Sequence, residues 1–237
     1  MECIELDRET LKEMSSHTVC DAITKYFKTN GEHGSLLYNT LRYMAIHSVY
    51  TISDSHNNPY TFDKLVRMFM ASSVKSIDTM FDIAMCIVMS GTQIKLIINT
   101  AIMLLFHILK IDSKYSNAYY LLGLVMPSDR ASIMINNKRH TRTTLFFIAF
   151  LLDCTNYDKA ITLALNMKSS DKITTQSKVI TAIDLMKYAI KLNRSRIEAY
   201  YCILLILYPT NTVVIDNVEY TYDDILSIII SLMNRIK

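Results

Sequence analysis

The stretch Thr100-Ala-Ile-Met-Leu-Leu returns 81 residues later as Thr181-Ala-Ile-Asp-Leu-Met. A lysine, an Ala-Tyr-Tyr triplet and a leucine follow both stretches at the same spacing and without a gap. They are Lys110, Ala118-Tyr-Tyr and Leu124 in the first case, and Lys191, Ala199-Tyr-Tyr and Leu205 in the second. Agreement at so many positions in one register indicates an internal repeat, which is typical of architectures built by stacking similar units.

A second pattern occurs three times and predicts a β-hairpin followed by a helix. Each copy has a short β-branched stretch, an Asn-containing turn, and then a threonine that opens an apolar run. The turns are Asn57-Asn58, Asn136-Asn137 and Asp216-Asn217, and the threonines are Thr61, Thr141 and Thr221. Asn accepts the positive φ of a two-residue hairpin turn. The threonine hydroxyl can accept the free N–H groups at the start of the helix.

These patterns together predict a mainly α fold: an α-solenoid-like array of three repeats of about 80 residues each. Each repeat is read as helix, helix, hairpin, helix, helix, and the last is truncated. The expected boundaries are 1–19 for an N-terminal cap, then 20–99, 100–180 and 181–237 for repeats 1, 2 and 3 of one continuous structural domain. Stacked repeats bury apolar faces that a single repeat would leave exposed.

The composition fits a globular, helical protein and gives little indication of a nucleic-acid partner. Apolar residues make up 51% of the chain, and only 4 Gly and 3 Pro are present, which argues against a loop-rich or disordered chain. A net charge of +3 is too small to predict nucleic-acid binding. The richness in Ile, Asn, Lys and Tyr suggests an AT-rich genome, for which a large DNA virus is one source.

Cysteine usage and the short apolar runs predict a reducing, cytoplasmic location. The five cysteines are scattered without a CxxC pair and are interpreted as reduced core thiols. The polar start at Met1–Asp7 has no secretory signal pattern. The longest apolar stretch, Ile97–Leu109, is shorter than the roughly 20 residues that a bilayer requires, so no transmembrane segment is predicted.

The helix junctions resemble the tetratricopeptide repeat, a helical-hairpin interaction module. The residues that match its pattern are Ala101, Ile108, Ile111-Asp112-Ser113, Tyr119 and Leu122-Gly123, and again Ala182, Ala189, Leu192-Asn193, Tyr200 and Ile203. Ser113 and Arg194 stand where the family has proline, Leu204 replaces a glycine, and the inserted hairpins make the period about 80 instead of 34. The resemblance implies a solenoid that binds peptides or proteins on a concave face, and it implies no catalytic or ligand-binding residues.

No motif in the sequence predicts catalysis, a cofactor or a metal. The six histidines form no metal-ligand pattern, and neither GxGxxG nor GxxxxGK occurs. Asp223-Asp224 follow a helix start, where carboxylates act as caps. The basic stretch Lys138–Arg142 is interpreted as a solvated hairpin tip, with a nucleic-acid contact as the alternative.

The tyrosine pairs are the predicted partner-binding residues. Tyr119 and Tyr120 form one pair, and Tyr200 and Tyr201 form the other. One member of each pair is expected to face the core and the other to line a groove, because tyrosine offers amphipathic contact area at low entropic cost. A purely structural role for both members is the alternative.

The leading functional hypothesis is a non-catalytic protein–protein interaction module, an adaptor or inhibitor, which in a virus would act on a host protein. The alternative is a self-associating intracellular assembly protein, that is, a homo-oligomer. A compact helical fold of another kind, such as the Bcl-2-like proteins of large DNA viruses, comes third because the constant register argues against it. An enzyme comes last.

Overall fold

The computed structural model describes residues 19, 21, 34–54, 56–72, 75–90, 95–127, 131–167, 171–174, 179–206 and 211–235. The predicted cap at 1–18 and most of the first predicted helix of repeat 1 lie outside these residues. The chain divides into two compact units, Met1–Val125 and Met126–Lys237. The division falls inside predicted repeat 2, and the three repeat boundaries stay a prediction.

The described part of unit 1 contains five helices and one hairpin. They are α1 (Gly34–Ile46), β1 (Thr51–Ser53), β2 (Pro59–Thr61), α2 (Phe62–Ala71), α3 (Ile77–Met89), α4 (Lys95–Ile111) and α5 (Ser116–Val125). Helix α3 packs against α1 and α4, and α4 packs against α5. The core includes the fully buried side chains of Leu41, Phe69, Ile83 and Leu104.

The described part of unit 2 contains five further helices and three hairpins. They are β3 (Ser132–Ile135), β4 (Lys138–Thr141), α6 (Arg142–Leu152), α7 (Tyr157–Asn166), β5 (Ile173–Thr174), β6 (Val179–Ile180), α8 (Ala182–Leu192), α9 (Glu198–Ile206), β7 (Val213–Ile215), β8 (Val218–Tyr220) and α10 (Tyr222–Arg235). Helix α7 packs against α6 and α8, and α9 packs against α8 and α10. Ala160, Ala164 and Ala189 are buried on α7 and α8, and their small side chains let the helices approach closely.

The mainly α fold class is confirmed for the described residues, and so are the three predicted hairpins. Strands β3–β4 and β7–β8 are joined by two-residue turns in which Asn136, Asn137, Asp216 and Asn217 all have positive φ. These values are those of the tight turn that suits the right-handed twist of a hairpin.

The first hairpin differs from the predicted two-residue turn, because its register leaves residues 54–58 between the strands. The Asp54 carboxylate organises this wider loop by accepting hydrogen bonds from the backbone N–H groups of His56 and Asn58, both at 2.9 Å. The Asn58 side chain donates to the same carboxylate. These bonds, led by that of the Asn58 side chain, lower the pKa of Asp54.

The short hairpin β5–β6 was not predicted. Its ladder pairs Ile173 with Ile180 and Thr174 with Val179, and it stands immediately before Thr181. Thr181 caps α8 with the same geometry that the predicted hairpins use, accepting from Asp184 N at 3.2 Å. Two-residue strands carry too little alternation of apolar and polar residues to be detected in a sequence.

The predicted threonine caps are confirmed. Thr61 and Thr141 each accept a hydrogen bond from the backbone N–H three residues later, at 3.3 Å. Thr221 does the same for Asp224 at 3.2 Å, while the Asp224 carboxylate accepts from the Thr221 N–H at 2.8 Å. The hydrogen bond from the Thr221 side chain is the largest cause of the lowered pKa of Asp224. Asp224 is therefore a capping residue, as its position in the sequence predicts.

Candidate partner-binding surfaces

The tyrosine pair on α5 has one buried member and one half-buried member. Tyr119 is buried, and its hydroxyl donates to the Ser113 carbonyl oxygen at 3.0 Å, tying α5 to the turn that precedes it. Burial raises the pKa of Tyr119, so its hydroxyl stays protonated and keeps donating. Tyr120 and Leu124, one turn later, are half-buried. Tyr119 is therefore an anchor of the fold, and Tyr120 is the more exposed member of the pair.

The pair on α9 is more sharply divided. Tyr200 is 6% exposed, whereas Tyr201 is 54% exposed. Leu205 is 68% exposed and lies one helical turn after Tyr201, so both side chains project from the same face of α9. We call these two residues the α9 surface. The tyrosine half of this surface was identified from the sequence, although binding of a partner there stays a prediction.

The first turn of α9 is held in place by a cluster of polar residues. The Ala199 N–H donates to the Tyr157 hydroxyl at 3.1 Å, which satisfies a backbone group at the start of the helix. That hydroxyl in turn donates to Glu198 at 3.4 Å. Burial is the main reason why the pKa of Tyr157 rises to about 12. The hydroxyl stays protonated and links α7 to α9.

Arg196 completes this cluster, which we call the Arg196 clip. Its guanidinium donates to Asp158 at 2.6 Å and to Glu198 at 2.7 Å, and it lies 4.2 Å from the centre of the Tyr157 ring. The hydrogen bond from Arg196 is the largest cause of the lowered pKa of Glu198. Arg196 and Glu198 are partly exposed, so these ion pairs stabilise modestly and position the start of α9.

The sequence did not predict an open groove that lies along one face of α4. Its volume is about 340 Å³, and the described residues that line it all belong to this helix: Asn99, Ile102, Met103, Phe106, His107 and Lys110. Ile102, Met103 and Phe106 are its apolar lining residues, and Asn99, His107 and Lys110 are its polar ones. An apolar face along one helix can receive an extended or helical segment.

An exposed apolar stripe on α10 is the second feature that the sequence did not predict. Ile225, Ile229 and Leu232 are buried, whereas Leu226, Ile230 and Met233 are exposed on the adjacent face. The α4 groove and this α10 stripe share one sequence signal, a helix that is apolar on two faces at once. The opposite face of α4 is buried through residues such as Leu104 and Ile108.

The basic stretch Lys138–Arg142 forms strand β4 and the first residue of α6. Lys138 and Arg139 are exposed, and Arg139 donates to the Ser132 hydroxyl across the hairpin at 2.6 Å. His140 is half-buried and pairs with Ile133. This arrangement fits the predicted solvated hairpin.

Among the described residues, the side chains considered as catalytic or metal-binding candidates do not form a cluster. Cys86 and Cys202 are buried free thiols, as predicted, but Cys154 is exposed, because it lies in the turn between α6 and α7. Cys3 and Cys20 lie outside the described residues. Within the described ranges, no group of three or more His, Cys, Asp or Glu side chains could hold a metal ion. None of the helices described is long and apolar enough to cross a membrane.

Comparisons of the chain with protein-family models, with curated proteins and with solved structures found no match in any of the three.

Proposed function

We propose that this chain is a non-catalytic protein–protein interaction module, an adaptor or inhibitor, that binds another protein at the α9 surface. The observation that carries the proposal is the exposure of Tyr201 and Leu205, one turn apart on a helix whose opposite face is buried. An aromatic and an aliphatic side chain fixed on a rigid helix are typical anchors of protein interfaces.

The rigidity of α9 strengthens the proposal. Tyr200 and Ile203 fix the helix from the core side, and Tyr157 satisfies the Ala199 N–H at its start. A side chain presented from a fixed backbone loses less conformational entropy on binding than one on a mobile loop. The partner is expected to offer an apolar pocket with a hydrogen-bond acceptor for the Tyr201 hydroxyl.

The proposal includes the tetratricopeptide-like array. In that arrangement α5 and α9 are equivalent helices of successive repeats, and both present the second tyrosine of their pair. Tyr120 and Leu124 would then form a comparable binding surface on α5. If the AT-rich composition reflects a viral genome, the partner is a host protein. A peptide of extended or helical form fits such a surface better than a nucleic acid, because the α9 surface carries no cationic side chain.

The test uses affinity capture from cells of the native source, followed by titration of the captured partner in purified form. The wild-type chain is compared with a double variant, Tyr201→Ala with Leu205→Ala, and with the matched control Leu165→Ala. Leu165 is 59% exposed on α7, so its truncation matches Leu205→Ala by removing one exposed leucine elsewhere in unit 2.

We expect the double variant to weaken binding of the purified partner by about 10-fold or more, because each anchor contributes on the order of 1 kcal/mol. The control should bind as the wild type does. Equal affinity of all three proteins for every captured partner would overturn the α9 assignment. Tyr119 and Tyr200 are unsuitable for this test, because their truncation damages the core.

A further inference from the structure

We infer that copies of this chain join head to tail, with α10 of one copy lying antiparallel in the α4 groove of the next. The inference goes beyond the proposed function, because it uses neither Tyr201 nor Leu205. It rests on two apolar faces, one on α4 and one on α10, whose lengths, spacing and charges fit each other.

The spacing of the two faces matches in the antiparallel direction. Along α4 one row of groove-lining residues is Asn99, Met103, Phe106 and Lys110, and along α10 the stripe and the acid before it are Asp223, Leu226, Ile230 and Met233. Successive members of both sets are three or four residues apart, so each set forms one row on its helix. Reversing one row places Leu226 opposite Phe106 and Ile230 opposite Met103, within one residue of exact register.

The same register places opposite charges together. Lys110 is exposed at one end of the groove, and Asp223 is exposed at the start of α10, so the antiparallel arrangement brings them face to face. Asp224, and not Asp223, supplies the capping carboxylate of this helix, which leaves the Asp223 carboxylate at the surface. A parallel arrangement would separate the two charges by most of the length of α10.

The internal repeat shows why these two faces differ from their counterparts. At the positions equivalent to Met103 and Phe106, α8 carries Asp184 and Lys187, so it offers no apolar groove. At the positions equivalent to Leu226 and Ile230, α6 carries Phe146 and Phe150, which are buried. Phe150 packs edge-on against Tyr188 of α8, with ring centres 5.9 Å apart.

In α6, the helix equivalent to α10, the matching face is therefore covered by another helix of unit 2. For α10 we assign this cover to α4 of a second copy. The interface is heterologous, because a groove on one copy meets a stripe on another. An open assembly then keeps one free groove and one free stripe, so it grows with concentration unless it closes into a ring. A contact of two helices is small, so a dissociation constant on the order of micromolar is expected.

Two single variants and their mixture test this geometry. Met103→Lys places a charge in the groove, and Ile230→Lys places one in the stripe. Both positions are exposed, so the fold should be kept, which circular dichroism checks. The wild type should show an average mass that rises with concentration in sedimentation velocity and light scattering, while each variant alone should stay monomeric.

Mixing the two variants should restore association, but only as a one-to-one dimer. The groove variant still has an intact stripe, the stripe variant still has an intact groove, and no further copy can be added. The control Leu165→Lys should assemble as the wild type does. Symmetric α10–α10 pairing would instead leave the groove variant dimeric and give no rescue on mixing, which would overturn the inference. A wild type that stays monomeric up to about 100 μM would also overturn it.

The charge pair gives an independent check. Lys110→Glu and Asp223→Lys should each weaken assembly by about fivefold, because each places like charges together at the rim. The chain that carries both substitutions should regain the wild-type affinity. The Tyr201→Ala, Leu205→Ala double variant should assemble normally, so failure of the head-to-tail contact and failure of the α9 proposal give different results.

Discussion

Equivalent helix junctions in the two units are fixed by different chemistry. In unit 1, Tyr115 packs edge-on against Phe81 with ring centres 5.4 Å apart. In unit 2, Arg196 stands at the position 81 residues later and pairs with Asp158 and Glu198. We call the first the Tyr115 clip, the counterpart of the Arg196 clip.

One acid is common to both clips and shows how the change is accommodated. Asp78 lies close enough to Tyr115 to contribute to its raised pKa, although burial is the larger cause. The acid 80 residues later, Asp158, accepts a hydrogen bond from Arg196. Next to the equivalent acid, the tyrosine of unit 1 contributes ring packing and the arginine of unit 2 contributes ion pairs. The position in the fold is maintained, and we expect its sensitivity to salt to differ between the two units.

The largest expected effect is the difference in lost stability between truncating the buried and the exposed tyrosine of a pair. Tyr200→Ala should lower the free energy of unfolding by about 3 kcal/mol, because truncating a buried aromatic residue leaves a cavity. Tyr201→Ala should change it by less than about 0.5 kcal/mol, because the side chain is exposed. Urea denaturation followed by far-ultraviolet circular dichroism measures both, since the chain has no tryptophan.

The same contrast should hold in unit 1 between Tyr119 and Tyr120, but with a smaller difference, because Tyr120 is half-buried. Equal losses for Tyr200→Ala and Tyr201→Ala would contradict the division of the pair into a core member and a surface member.

A second prediction concerns a buried charge at a position where unit 1 has an uncharged residue. Lys159 is buried and donates to Asp153 at 2.7 Å, whereas the residue 80 positions earlier is Thr79, part of a capping box with Ser76. Asp153→Ala should cost about 2 kcal/mol, because it leaves an ammonium group buried without its acid. Ser76→Ala should cost about 1 kcal/mol, the usual cost of losing a cap.

Acid titration sharpens this comparison. The hydrogen bond from Lys159 is the largest cause of the lowered pKa of Asp153, so the pair's stabilisation is present above the ordinary value of 3.8. That stabilisation is lost as the pH falls through the lowered pKa. Urea denaturation at a series of acid pH values should therefore show a smaller difference between wild type and Asp153→Ala. A difference that stays constant down to the lowest pH would refute this account.

The sequence predicted those features that depend on local residue types. Thr141 and Thr221 were recognisable as caps, and Asn136-Asn137 as a hairpin turn, because each acts through its own backbone neighbours. The sequence predicted that one tyrosine of each pair faces the core, but it did not indicate which one. The choice depends on which helix face meets its neighbours, and a helix that is apolar on two faces gives no signal for it.

The features that the sequence did not reveal are those made between distant segments. The link from Tyr157 to Ala199 joins residues 42 apart, and no local pattern indicates it. The groove along α4 was hidden for a related reason, since Met103 and Phe106 look like core residues in a run that is apolar throughout. An apolar fraction of 51% fits both a large core and an apolar partner surface, and it gives the position of neither.

A third prediction tests this long-range link. Tyr157→Phe should cost about 1–2 kcal/mol, because the buried Ala199 N–H loses its acceptor. The corresponding residue in unit 1, Ile77, has no hydroxyl, so unit 1 does not use this hydrogen bond. Tyr115→Phe in unit 1 is the matched control and should cost less, because the Tyr115 hydroxyl bonds to the exposed side chain of Asn117 and its loss leaves no buried backbone group without an acceptor.

The change in the free energy of unfolding at alkaline pH tests whether the Tyr157 hydroxyl acts in its protonated form. Burial raises the pKa of Tyr157 from 10.0 to about 12, so its stabilisation is complete below pH 10 and is lost as the pH rises towards 12. The wild type should lose stability more steeply than Tyr157→Phe over that interval. Parallel curves for the two proteins would show that the hydroxyl is not held in its protonated form by the fold.

The smallest expected effect tests the two clips themselves. Arg196→Ala should cost about 0.5–1 kcal/mol at about 0.1 M salt, because its ion pairs are partly exposed, and most of this cost should disappear at about 1 M salt. Tyr115→Ala should cost a similar amount at both salt concentrations, because packing of aromatic rings is not screened by ions. Urea denaturation of both variants and the wild type at the two concentrations gives the comparison. If the cost of Arg196→Ala were independent of salt, its main source would be the stacking of the guanidinium on the Tyr157 ring, 4.2 Å away. The two clips would then differ in residue type but not in the physical origin of their stabilisation.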